Sequence, residues 1–250
     1  MLIPEFAPPL TAPEAVVETV RQRGFAVLGP TFSSRLAGVS PAALLALRAD
    51  WEQMPVDPHL KDGGQYRRRR HASFVIEDGA CRRAPHRAHY QPPEYNALHG
   101  GLERWFEPMH DDFVATPAWQ ALLTGLSGVC SALRPARRWF VEAHQFRIDT
   151  SHGIGRPTPE GAHRDGVDFV AVFLIDRARI RGGETRVFDA QQPQGQRFTL
   201  REPWSVLFLD DARMIHETTP IQPELAPGEA QGGHRDTLVL TFRRDGFQEP

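Results

Sequence analysis

The chain has 250 residues, 40% hydrophobic and 24% charged, with a net charge of −2 and a pI near 6.6. That is the composition of a globular chain long enough for one domain with a substantial core, and it carries no basic field that would recruit nucleic acid or anionic lipid. Two cysteines, Cys81 and Cys130, exclude a disulfide framework and any zinc-type spacing.

The opening MLIPEFAPPLTAPEA lacks a basic n-region and a continuous apolar h-region. No apolar run approaches the roughly 18 residues of a membrane span, so a cytoplasmic location and no membrane partner are expected. The 22 prolines and 21 glycines favour short strands and turns. Thr11-Ala12-Pro13-Glu14 has a helix-entry pattern with Thr11 as N-cap, and Ala15, Val16 and Val20 suit a short helix ending near Gly24. A strand over Phe25 to Leu28 follows. Ser40-Pro41 opens a second helix carrying Leu44, Leu45, Leu47 and Trp51 at helical spacing.

Tyr66 to Glu77 (YRRRRHASFVIE) starts as an arginine run and ends as a strand. A nucleic-acid contact, a solvated patch and an inward carboxylate grip are all open for those arginines. In an extended segment Arg68 and Arg70 share a face with Ala72 and Phe74, so either could hold a substrate carboxylate bidentately. His86 to Tyr95 reads as a turn. Leu102 to Phe113 and Pro117 to Leu133 read as helices, with Trp105, Phe106, Phe113, Trp119, Leu122, Leu123 and Leu126 in the core. From Trp139 short alternating runs take over: Phe140 to Ile148, Val167 to Ile175, Glu184 to Asp189, Gln196 to Leu200, Ser205 to Asp210 and Thr237 to Phe242. That texture predicts a β-sandwich or jelly roll.

His-x-Asp occurs three times, at His110, His163 and His234. Only His163-Arg164-Asp165 opens a strand with further strands to follow. Side chains two apart at a strand mouth share a face, which sets an imidazole beside a carboxylate. These are two of the three ligands of a 2-His-1-carboxylate facial triad, which leaves open positions on Fe(II). His216, beyond a strand and the Asp210-Asp211 turn, supplies a third. Arg235, with Thr237 two residues on, lies on one face of the last strand and suits the distal carboxylate of a 2-oxo-dicarboxylate co-substrate.

In that order these residues resemble the Fe(II)/2-oxoglutarate-dependent dioxygenases. HQFRI, PTPEGAHRDG, RGGETRVFD, LDDARMIHETTPI and HRDTLVLTF are similar to a bacterial subfamily of free L-amino acid (isoleucine-type) hydroxylases and biofilm-stress-and-motility proteins. The resemblance implies a mainly β (α+β) double-stranded β-helix, jelly-roll and cupin-like, with flanking N-terminal helices. On that reading one domain fills 1–250, with 1–138 as support and 139–250 as the catalytic core. It implies Fe(II) on His163, Asp165 and His216, 2-oxoglutarate on Arg235 and Thr237, O₂ as oxidant and ascorbate as reductant. Hydroxylation of a small molecule, a free aliphatic L-amino acid, with release of succinate and CO₂ is then expected. Arg147, Gln145, Arg68, Arg70 and Glu160 are the candidate substrate contacts. Asp210 or Asp211 is a candidate partner for the outer nitrogen of His216. No nucleic-acid partner is expected, and a two-fold homodimer is the default assembly. The alternatives are an oxygenase of peptides or nucleic acid and a non-catalytic ligand-binding jelly roll.

Overall fold

The computed structural model describes residues 6–96, 98–224 and 232–250; part of the leader reading, Met1–Glu5, lies outside them. A 3-10 turn at Pro13–Ala15 leads into α1 (Val16–Arg23). Ala12, not Thr11, occupies the N-cap, because the Thr11 N–H bonds the Val27 carbonyl instead. Gly24 ends the helix at φ +79°, a left-handed turn in which a Cβ would strike the Met214 sulfur. β1 (Phe25–Leu28) follows as the sequence predicts. An unexpected helix, α2 (Pro30–Ala37), starts on Pro30 and stops at Gly38. In α3 (Pro41–Ala46) the Ser40 hydroxyl caps the Ala43 N–H, and a 3-10 turn then carries the chain to Trp51.

β2 (Arg67–Glu77) takes in the arginine run, and β3 (Ala80–Arg83) returns beside it. The helix expected over 102–113 is reduced to α4 (Asp111–Val114). Upstream, Arg104 pairs with His89 and Pro108 with His71 in extended bridges; Pro108 lacks an N–H and keeps Glu107 out of the helical region. Trp105 on that segment is 53% exposed, so it is not a core residue as expected. α5 (Pro117–Leu133) matches its predicted bounds and is capped by Thr116. The remainder is β4 (Arg138–Asp149), β5 (Phe169–Ala178), β6 (Ile180–Gly182), β7 (Thr185–Asp189), β8 (Gly195–Phe198), β9 (Val206–Asp210), β10 (Met214–Thr218), β11 (Ile221–Pro223) and β12 (His234–Arg243).

The large sheet runs β1-β9-β5-β12-β4-β2-β3 with antiparallel neighbours, faced by the small sheets β10-β7-β8 and β11-β6. This is a double-stranded β-helix with helices on one side. N-terminal strands β1, β2 and β3 belong to the same sheet as the C-terminal ones. Alternation gives the sheet two unlike faces. Ala72 and Phe74 of β2, Val141 and Ala143 of β4, and Leu238 and Leu240 of β12 share a core with Trp51, Trp119 and Leu123 of the helical layer. The inner face is apolar at the β1-β9-β5 end, where Val27, Leu207 and Val170 meet Val187 and Phe198. At the β12-β4-β2 end it is polar. No helix among the described residues is long and apolar enough to cross a membrane.

Trp51 ties the helical layer to this sheet. It is fully buried, meets Phe113 edge-on at 5.7 Å, and donates its Nε1–H to the Thr237 carbonyl at 3.3 Å, beside a register shift in β12. Trp51→Ala is expected to lose about 3–5 kcal/mol in urea unfolding. A loss under about 1 kcal/mol would contradict this packing.

Candidate active site

His163 precedes β5 and His216 lies in β10. Their backbones form an antiparallel bridge, His163 N–H to His216 carbonyl at 3.0 Å and the reverse at 2.9 Å. That bridge holds the rings 4.6 Å apart. Asp165 sits against both: its Oδ1 is 3.6 Å from His163 Nε2 and its Oδ2 is 3.8 Å from His216 Nε2. The His163 Nδ1–H donates to the Gly161 carbonyl at 2.9 Å, which turns Nε2 toward Asp165. Burial lowers the His216 pKa to about 4, so that imidazole is neutral. Burial also opposes charge on His163, but the hydrogen bond and charge of Asp165, with Glu160 behind it, raise its pKa to about 10. One nitrogen from each ring and one carboxylate oxygen lie within 4.8 Å of one another. Two nitrogens and an oxygen converging from one side fit a facial Fe(II) site.

Two side chains hold Asp165 in place. The Asp211 carboxylate accepts the backbone N–H groups of Asp165 (3.0 Å), Gly166 (2.8 Å) and Val167 (3.1 Å). Gly166 is at φ +75° with its α-carbon against Tyr95, so a Cβ would clash with that ring. Neither Asp210 nor Asp211 serves His216: Asp210 accepts from Arg134 at 2.5 Å, and His216 Nδ1 has no partner among the described residues. From the other side, Gln91 donates to Asp165 Oδ1 at 2.9 Å. Its carbonyl oxygen accepts from Asn96 (3.0 Å) and Arg104 (2.8 Å).

The triad opens into a cavity. Arg235 and Thr237 line it, as their shared face predicts; Arg235 is buried and has no carboxylate partner among the described residues. Burial, then the Arg177 charge, lowers its pKa to about 10. Glu160 lines it too, with Oε1 3.6 Å from His163 Nε2 and Oε2 without a partner among the described residues.

Four expected substrate contacts lie elsewhere. Arg68 bonds the Met54 carbonyl and Asp149, and Arg70 the carbonyls of Pro108 and Gln53. Arg147 is taken up bidentately by buried Asp236, at 2.8 and 2.7 Å, and Gln145 donates to Asp50. The reason is common to all: these residues share faces with Ala72 and Phe74 or with Val141 and Ala143, and those faces pack on the helices. The opposite phase enters the cavity instead, bringing Arg67 and Arg69 from β2 and Glu142, His144 and Phe146 from β4. Arg104, His89 and Gln91 come from the stretch read as a turn and a helix.

A second buried cluster, His71, His89, Glu142 and His144, also brings potential ligand atoms together. Cations already satisfy it. Arg87 donates to Glu142 at 3.1 Å, and Arg69 Nη2 faces His144 Nδ1 at 2.9 Å. Burial lowers the pKa of all three imidazoles, so they form a neutral wall.

Because Asp211 fixes the loop that aims Asp165, Asp211→Ala is expected to weaken Mn(II) binding about 10- to 100-fold by calorimetry. An unchanged affinity would mean that the loop holds itself.

Residues 48–241 match the model of the 2OG-Fe dioxygenase family. L-isoleucine-4-hydroxylase of Bacillus thuringiensis is 25% identical over 159 residues, which span 62% of this chain and 64% of that relative. The crystal structure of a bsmA homolog from Methylobium petroleophilum PM1 superposes with a TM-score of 0.91 at 51% identity, covering 98% of each chain. That of IDO from Bacillus thuringiensis gives 0.75 at 18% identity, over 98% of this chain and 99% of the other, and shares the fold. The chain belongs to the 2OG-Fe dioxygenase family.

Proposed function

We propose that the protein hydroxylates the aliphatic carbon chain of a free L-amino acid, consuming 2-oxoglutarate and O₂ and releasing succinate and CO₂. The observation that carries this reading is the convergence of His163 Nε2, His216 Nε2 and the Asp165 carboxylate in a cavity that also holds Arg235, a guanidinium with no carboxylate partner among the described residues. With Fe(II) and 2-oxoglutarate bound, the chemistry supplied is oxidative decarboxylation coupled to oxidation of an unactivated C–H bond, with ascorbate as the reductant that keeps the iron ferrous.

The chain's own residues do the positioning. His163, Asp165 and His216 would hold the iron, leaving about one positive charge on the centre. Arg235, with the Thr237 hydroxyl, would hold the distal carboxylate of the co-substrate and neutralise what remains. Gln91 donates to Asp165 Oδ1 and leaves Oδ2 as the freer ligand oxygen. Val172 and Val239, side by side on adjacent strands, and Phe146 and Ile148 exclude water from the far wall. For the substrate, Arg104 lies within electrostatic range of Glu160. Between them a carboxylate and an ammonium would both be met.

Similarity to L-isoleucine-4-hydroxylase supports an amino acid as substrate. The arginine run, which would favour a macromolecule if it were an exposed strip, is largely internal: Arg67 and Arg69 are buried, and Arg68 and Arg70 are bonded to neighbouring loops. Succinate formation with Fe(II), ascorbate and O₂, screened over free L-amino acids, tests the reading. Succinate should rise with one or a few amino acids and fall at least about 1000-fold in His163→Ala and Asp165→Ala, as expected when a group essential to the transition state is removed. Succinate formation indifferent to every amino acid would move the substrate to another class, and none at all would overturn the catalytic reading.

A further inference from the structure

The cavity wall away from the triad holds more positive charge than a neutral amino acid can use. Arg67, Arg69 and Arg104 all line it and are 5%, 4% and 2% exposed. Arg67 is matched by Asp57 at 2.7 Å. Arg69 and Arg104 have no carboxylate partner among the described residues. Arg69 is clamped between the rings of Phe106, 3.9 Å from its guanidinium carbon, and Phe146, at 4.6 Å, with Nη2 on His144. Arg104 gives Nη2 to Gln91. Burial pulls the pKa of both downward, helped by the Arg104 charge at Arg69 and by the Arg67 charge at Arg104. A buried, unpaired guanidinium is unfavourable unless a ligand brings the counter-charge.

The remaining charges have partners. Glu142 is paired with Arg87, which also reaches the exposed Glu249. Under the proposed function, on which this inference rests, iron, Asp165 and Arg235 together balance a dianionic co-substrate. Arg69, Arg104 and Glu160 are left for the substrate. A zwitterionic amino acid uses one arginine and Glu160, and one guanidinium stays unmatched in a dry wall. The surrounding imidazoles do not change this count, since burial holds His89 and His99 near pKa 4 and therefore neutral.

We infer that the substrate is an amino acid whose aliphatic side chain ends in a second carboxylate, with Arg104 and Glu160 taking the amino-acid head and Arg69 the distal carboxylate. The ring clamp suits Arg69 to this role. Phe106 and Phe146 fix the plane of its guanidinium, which favours a planar, bidentate partner. Phe146 and neighbouring Ile148 give the methylene groups an apolar floor.

The test compares L-aspartate, L-glutamate and L-2-aminoadipate with L-asparagine, L-glutamine, L-norvaline and L-isoleucine. Amino-acid-dependent succinate formation is measured with saturating 2-oxoglutarate, so that acidic amino acids are kept out of the co-substrate site. Binding to the Mn(II)- and 2-oxoglutarate-loaded protein is measured in parallel by calorimetry. One acidic amino acid should bind about 10- to 100-fold more tightly than its own amide, the range expected for a charge-assisted hydrogen-bonded pair against a neutral one. Arg69→Met should erase that preference while leaving 2-oxoglutarate affinity unchanged, and Arg69→Lys, which keeps the charge without the fork, should retain part of it. Neutral aliphatic amino acids binding and turning over better than every acidic one would overturn this inference and leave the proposed function standing. No response to any amino acid would overturn both.

Discussion

The active site depends on one constraint: β2, β4 and β12 are buried on both faces, and the two faces meet different things. Their register aligns Ala72 with Ala143 and Leu240 on the helical side. One residue away it aligns His71 with His144 and Val239 on the inner side. A strand in this position cannot place a polar side chain without committing it either to a partner under the helices or to the cavity. Arg147 and Asp236 illustrate the first outcome, a closed bidentate pair fully removed from ligand chemistry. Arg69 and Arg235 illustrate the second, buried cations with no carboxylate partner among the described residues.

The metal end is built from backbone as much as from side chains. The His163–His216 bridge fixes two imidazoles from separate segments, and three N–H groups converging on Asp211 fix the third ligand's loop. Gln91 then couples that ligand to Arg104 through a single amide, donating to Asp165 and accepting from the guanidinium. The group proposed to receive the substrate is therefore two hydrogen bonds from the metal ligand. The charges are apportioned along the cavity in the same spirit, with Arg67, Arg69 and Arg104 on one wall and Glu160 beside the triad.

Much of this was legible in the sequence. The His163–Asp165 pair and the Arg235–Thr237 face were read from alternation along a strand, and His216 from its place beyond a strand and an acidic turn; all of them line the cavity. The arginine run was read with the correct faces but the wrong destination. Ala72, Phe74 and Ile76 mark the face that packs on helices, so the alternate row Arg67, Arg69, His71, Ser73, polar throughout yet inside a buried strand, was the signal for a cavity wall. The same inversion misplaced Gln145 and Arg147. Arg104 and Gln91 could not be read this way. They sit in irregular segments whose position is set by bridges to distant strands, and the aromatic-rich 102–113 stretch imitates a helix until Pro108 is weighed.

The central claim is that three side chains make one metal site and that the metal and Arg235 together make the co-substrate site. The most direct measurement is an anaerobic calorimetric titration of metal-free protein, first with Fe(II) and then with 2-oxoglutarate. The account predicts one Fe(II) per chain, 2-oxoglutarate binding that requires the metal, loss of the metal step in His216→Ala, and loss of the 2-oxoglutarate step alone in Arg235→Met. Binding of 2-oxoglutarate that is indifferent to metal, or one Fe(II) still held tightly by His216→Ala, would contradict it.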